Sequence, residues 1–285
     1  MDPMIRLDPS AFDRQLFVEQ LVRVLNHPRY QPPVLPNVAL SLLSMSKRSD
    51  VSVKELAEQI EQDPILAASV LRVASSAAYA RAGTIRTLPE AIVRLGSQTI
   101  SDLFFQVWST ARVFRAPGYE EPMSRLRRHS VATATLARFV AERAELEADH
   151  VFLCGLFHDV GLAVSLLGLC DGRKPSELPR YEDVAPVLHE VHESMGALLC
   201  RLWRLPPAVR AVVEHHHSLT AVGDERKVAA VVIVAESIAL RAGLGHAHDV
   251  EDVGELSLAL EALALSSESL ETLALEAAPL VSSLA

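Results

Sequence analysis

From Val151 to Cys170 the chain reads VFLCGLFHDVGLAVSLLGLC, and within it only His158 and Asp159 carry side chains that are costly to bury. A stretch of this length can cross a bilayer. An aspartate at its centre, however, costs roughly 2.5–3.5 kcal/mol on insertion scales, and no basic flank follows directly. The run therefore predicts a helix over 149–168 buried in a folded core. That core must supply partners for an imidazole and a carboxylate that stand side by side.

The chain around it is rich in Leu, Ala and Val and only 5% aromatic, which favours helices over a β-sandwich. With 49% hydrophobic and 22% charged residues in 285, it is a globular chain able to bury a core as one large domain or two small ones. The net charge of −9 argues against a nucleic-acid-binding surface. The basic cluster Arg125, Arg127 and Arg128 is short enough to be a solvated helix face. Cys154, Cys170 and Cys200 form no CxxC pair and are odd in number, which fits reduced thiols in a cytoplasmic protein. The opening MDPMIRLDPSAFDR has no apolar signal-peptide region, so neither export nor membrane insertion is expected.

Helix punctuation is frequent and strand signals are scarce. Ser52 and Glu55 form a capping box, and Thr87 and Glu90 repeat the pattern before a helix that Gly96 stops. Asp63 and Pro64 suit an N-cap and first helical position, ahead of an apolar stripe at Leu66, Val70, Leu71 and Ala74. Another apolar helix is predicted over 97–113, and the Pro- and Gly-bearing stretch 115–122 is the best internal boundary. Beyond it the pattern predicts helices near 123–144, 149–168, 183–204, 207–217 and 225–242, with a polar loop at 171–183. From Gly243 onward there is no Lys or Arg, while eight acidic residues accumulate. Leu256, Leu260, Leu263, Leu270, Leu273 and Leu280 give this tail an apolar docking face, with Ser267 as N-cap of a last helix ending at Pro279. The expected organisation is all-α: an arm over 1–14, a helical lobe over 15–116 packed on a second over 117–245, and an acidic helical extension over 246–285.

Of the eleven histidines, eight lie between 129 and 217. Neutral imidazoles and carboxylates are the usual ligands of iron, zinc or manganese, and helices can gather them from distant segments. A metal would replace the hydration that His158 and Asp159 lose on burial. The alternative stays open: a histidine on an apolar helix more often hydrogen-bonds a backbone carbonyl and binds nothing. HHH at 215–217 equally suits a helix C-terminus, and His150 reads as an exposed residue of a polar lead-in.

Several segments together resemble a known family. RHSVATATLARFV (128–140) followed by GLFHDVGLAV (155–164) is similar to the H…HD signature of the HD superfamily of metal-dependent phosphohydrolases. LPNVALSLLSM, IEQDPILAASVLRVASSAAY and TLPEAIVRLGSQTISDLFF resemble the amino-terminal half of the HDOD family, a relative of HD and HD-GYP proteins. VHESMGALLCRLWRLPPAVRAVVEHHH (191–217) is similar to the family's segment ending in a double histidine, and the likeness spans roughly 15–245. It implies an HD-like fold and a metal set of His129, His158, Asp159, His192, His216, His217 and Glu236. His216 and His217 are taken for the double histidine because Val209, Val212 and Val213 then hold the apolar positions, and Glu236 stands where the superfamily has a closing aspartate.

HDOD proteins as a family are regarded as bacterial signalling modules, so the resemblance implies a non-enzymatic regulatory protein that works through protein partners and retains a structural site for iron, manganese or zinc. The HD-GYP motif is absent, HHHSLTAVGDERK standing in its place, and Arg125 replaces a glutamate that some HD-GYP proteins carry. A cyclic dinucleotide partner therefore has no support. The second reading is a metal-dependent phosphohydrolase acting on a nucleotide or cyclic nucleotide; a third is a sensor that binds such a ligand without turnover.

Overall fold

The computed structural model describes residues 52–61, 87–96, 114–146, 150–170, 173–246 and 252–284, with a few isolated positions before 75. Every regular element among them is helical. The chain divides into two compact units, one of Val34–Ala111 and one of Met1–Pro33 with Arg112–Ala285.

In the first unit α1 spans Val53–Glu61. It starts where predicted: the Ser52 hydroxyl accepts the Glu55 amide, and the Glu55 carboxylate accepts the Ser52 amide in return. Helix α2 covers 88–96; Thr87 accepts the Glu90 amide at its start, and Gly96 ends it at φ 80°. Val70 and Ala74 of the predicted stripe are buried. The Asp63–Pro64 cap and the helix over 97–113 lie outside the described residues.

The second unit contains α3 (Glu120–Arg143), α4 (Val151–Phe157), α5 (Val160–Cys170), α6 (Tyr181–Leu202), α7 (Pro207–His215), α8 (Arg226–Arg241), α9 (Val253–Ala262) and α10 (Ser267–Leu284). Helix α3 packs against α4, α8 and α10; α5 lies on α6, α6 on α7, and α9 on α8. In the apolar stretch Val151–Cys170 every residue but Leu167 and Cys170 is buried inside this unit.

That stretch is two helices, not the single one predicted over 149–168, and the break falls on His158 and Asp159. The His158 Nδ1–H donates to the Gly155 carbonyl at 2.8 Å, occupying an acceptor that an uninterrupted helix offers to the amide four residues on. Glycines on either side hold the break in place. A Cβ on Gly155 would lie 2.8 Å from the Ala134 Cα of α3, and one on Gly161 would lie 1.8 Å from the His192 carbonyl oxygen of α6. Only glycine lets α4 and α5 approach their neighbours this closely.

Further corrections concern helix ends. His150 is half-buried at the N-cap position of α4, not exposed, and its Nε2 pairs with Glu225 at 2.9 Å. Ser266, not Ser267, caps α10 by accepting the Ser269 amide. The helix also runs through Pro279, which removes a single backbone donor. The tail docks by the leucines its pattern picked out: Leu256, Leu260, Leu263, Leu270 and Leu273 are buried, while Leu280 is exposed. Glu276 of α10 pairs with Arg143 of α3 at 3.0 Å. The three cysteines are free thiols.

Candidate metal centre

The predicted site residues come from five places in the second unit. His129 stands on α3, His158 and Asp159 at the α4–α5 break, His192 on α6, His216 and His217 in the turn after α7, and Glu236 on α8. The fold brings all seven together. Their ligand atoms form two groups, His129–His158–Asp159–Glu236 and Asp159–His192–His216–His217, each within 4.8 Å, and Asp159 belongs to both. His129, His158, Asp159, His192 and His216 are at most 2% exposed; Glu236 is half-buried and His217 exposed. His215 ends α7 and belongs to neither group.

The four buried imidazoles of the predicted set are oriented in the same way. The Nδ1–H of His129 donates to the Leu244 carbonyl, that of His158 to Gly155, that of His192 to His189 and that of His216 to Val213. A carbonyl oxygen only accepts, so Nδ1 carries a proton and Nε2 points inward, its lone pair bare in the neutral ring. The carbonyl contact expected of a packed histidine and the bare nitrogen required of a ligand are both present in one ring.

Those lone pairs meet at the Asp159 carboxylate. His192 and His216 hold Nε2 at 3.3 and 3.4 Å from Oδ1 and at 3.1 Å from each other. On the other side His158 and His129 hold Nε2 at 3.2 and 3.6 Å from Oδ2. The Oδ1 side thus collects two imidazole nitrogens and a carboxylate oxygen, all acceptors, around one small volume. Such a set repels itself unless a cation lies within it. The donors are nitrogen and oxygen without thiolate, the chemistry of manganese, iron or zinc.

Protonation follows from burial and charge. Burial pulls the His158 pKa down, but the charge and hydrogen bond of Asp159, with Glu236 and the Gly155 carbonyl, outweigh it and raise it from 6.5 to about 9. Burial alone would push Asp159 up; the charge and hydrogen bond of His158, with the His246 hydrogen bond beside them, hold its carboxyl well below 3.8. Burial dominates at His192, lowered to about 4, and at His216, lowered well below 6.5 with His217 adding to the effect. At neutral pH the Oδ1 side is therefore a neutral imidazole pair facing an ionised carboxylate.

One participant was not foreseen. His246 is buried, and its Nε2 lies 2.7 Å from Asp159 Oδ2, closer than any other described histidine. In sequence it stands in GHAHD at the head of the acidic tail, where only the residue type itself signals chemistry.

Two cavities adjoin the cluster. One of about 40 Å³ is lined by His216, His217 and Glu236 together with Asp252 and Glu255. Another of about 390 Å³, lined by Tyr119, Arg125, Arg180 and Tyr181, reaches His246. Its arginines are paired, Arg125 with Glu121 and Arg180 with Glu182.

The family model for the HDOD domain matches residues 33–219. The chain belongs to the HDOD domain family. Its fold is shared by an HDOD domain protein of unknown function from Geobacter sulfurreducens, at 20% identity and a TM-score of 0.69, covering 95% of this chain and 97% of that one. A candidate metal-dependent phosphohydrolase from Shewanella amazonensis SB2B matches at 23% identity and 0.67, covering 91% and 97%. A candidate signal transduction protein from Marinobacter aquaeolei VT8 matches at 19% and 0.65, covering 98% and 67%. At these identities the likeness is one of fold. No curated protein matches the chain. The HDOD match ends before Glu236 and His246, so both lie outside the matched segment.

Proposed function

We propose that this HDOD chain is a cytoplasmic bacterial regulatory module that acts through protein partners, its second unit built around a structural site for iron, manganese or zinc. The observation that carries the reading is the closure of the donor cluster. Five of its seven side chains are at most 2% exposed. The cavity at its half-open edge holds about 40 Å³, room for roughly a single water. Its other carboxylates, Asp252 and Glu255, would repel a phosphoester. Structural metal sites are closed, whereas catalytic ones keep a position open.

His129, His158 and Glu236 would hold one metal, His192, His216 and His217 another, with Asp159 shared. A bound metal there supplies positive charge that the inward lone pairs lack. The protein's own part is to fix the four Nδ1–H groups on backbone carbonyls, so that ligand orientation is set before binding.

A phosphohydrolase is the second reading, favoured by one observation: two donor groups sharing a carboxylate match what a two-metal clamp on a phosphoester needs. The name of the Shewanella amazonensis neighbour points the same way.

The test is metal content by mass spectrometry on protein purified without histidine tag or chelator, with a phosphodiesterase assay on the same sample. About one or two equivalents of metal, lost in Asp159→Ala, with no turnover, is the expected result. Turnover abolished by Asp159→Ala would replace this reading with the hydrolase. Metal-free protein would remove the metal site from it.

A further inference from the structure

We propose that His246 is a positioning residue for Asp159, resting on the metal-site reading above: it holds the shared carboxylate in place without itself being a ligand. The four inward histidines commit Nδ1–H to backbone carbonyls, so that Nε2 is the nitrogen each neutral ring offers a metal. His246 turns the same nitrogen to the carboxylate at true hydrogen-bond distance: its Nε2 lies 2.7 Å from Asp159 Oδ2, against 3.2–3.6 Å for the other four. An ionised carboxylate only accepts, so that nitrogen carries the proton and donates. A nitrogen that donates has no lone pair left for a metal. By distance as well, His246 belongs to neither donor group.

The backbone that delivers it is specified. Helix α8 ends in a Schellman turn, with the Gly243 amide on the Leu240 carbonyl, the Leu244 amide on Ala239, and Gly243 at φ 75°. This turn aims the four residues Gly243–His246 across the cluster. They touch it twice: the Leu244 carbonyl accepts the His129 Nδ1–H, and His246 donates to Asp159. The His246 ring lies against His129 and His189, with centroids 4.9 and 5.1 Å away, so its orientation is held on two sides.

The consequence is a division of labour within one carboxylate. Oδ2 receives the His246 hydrogen bond, which prevents rotation about the Cβ–Cγ bond and keeps Oδ1 turned to His192 and His216. Without it Oδ2 keeps only the longer contacts to His158 and His129, and the carboxylate is less firmly oriented for both groups.

The experiment is manganese and zinc titration of the full chain, read as stoichiometry and Kd, for the wild type, His246→Ala, His246→Gln and Asp159→Ala, with the melting temperature of each metal-free protein. A glutamine amide reproduces the Nε2–H donor. The expected result is unchanged stoichiometry with affinity about 10–100-fold weaker in His246→Ala, largely restored in His246→Gln. Loss of one metal equivalent in both His246 variants would make His246 a ligand and overturn the proposal. Equal affinity in all three, with only the melting temperature lowered, would make it a packing residue and overturn it too. A wild type that binds neither ion removes the metal-site reading and this proposal with it, an outcome distinct from the other two.

Discussion

The His192 carbonyl oxygen lies 1.8 Å from the point where a Cβ on Gly161 would stand. The same crossing brings α5 beside α6 and thereby sets Asp159, two residues before Gly161, against His192 and His216. Gly161→Ala must push the helices apart. We expect a loss of roughly 1–3 kcal/mol in urea unfolding, the ordinary cost of overpacking, together with weakened metal binding. Wild-type stability in this variant would mean that the crossing is less tight than described.

Asp159 faces five histidine nitrogens, and removing it strands them. His158, raised to about 9 chiefly by this carboxylate against the pull of burial, would be left as a buried cation without its partner. Asp159→Ala should cost roughly 3–5 kcal/mol in the metal-free protein at neutral pH. Denaturant titration of chelator-treated protein measures it, and a change below about 1 kcal/mol would show that the carboxylate is not the partner of the cluster.

The metal-free protein should be most stable near pH 6.5. Above that value an unfolded histidine has lost its proton while folded His158 keeps one until about pH 9, so one proton of linked stability is lost as pH rises. Below 6.5 the sign reverses. Unfolded His192 and His216 take up protons that their folded forms refuse, His192 until about pH 4, so stability falls as pH falls, with two protons linked. The acid limb is therefore about twice as steep, each proton contributing about 1.4 kcal/mol per pH unit. Melting temperature against pH checks this, and a profile steeper on the alkaline side would contradict it. Added manganese should flatten the alkaline limb, because the cation takes over the charge that the His158 proton supplies.

Ser165 lies in α5 with its hydroxyl buried and without a hydrogen-bond partner among the described residues. Ser165→Ala removes a desolvated polar group and little volume. It should leave stability unchanged or raise it by about 1 kcal/mol, with metal binding unaffected. A loss of more than about 1 kcal/mol would reveal a hydroxyl partner.

The seven candidate site residues were named by the resemblance to the HDOD family; local pattern by itself left the histidines open between ligands and packed residues. Among His215, His216 and His217 the register of Val209, Val212 and Val213, all fully buried, favours the last two, because the helical repeat links side chains within a few residues. The capping box at Ser52 and Glu55 was legible for the same reason. The break at His158 was not: nothing in the apolar periodicity of 151–170 distinguishes one helix from two. It arises where a side chain takes a backbone acceptor, between glycines whose neighbours lie far off in sequence.

By itself the sequence determined that the chain is helical, where many of its helices start and stop, and which residue types could ligate a metal, since caps, periodicity and donor chemistry are properties of short segments. Only the tertiary structure decided that Asp159 is the shared centre, that the four inward imidazoles turn Nε2 toward it, and that His246 joins them from 87 positions away. The physical reason is that a hydrogen bond between distant segments depends on how helices cross. That is set by close contacts such as Gly161 on His192, which no local pattern of residues encodes.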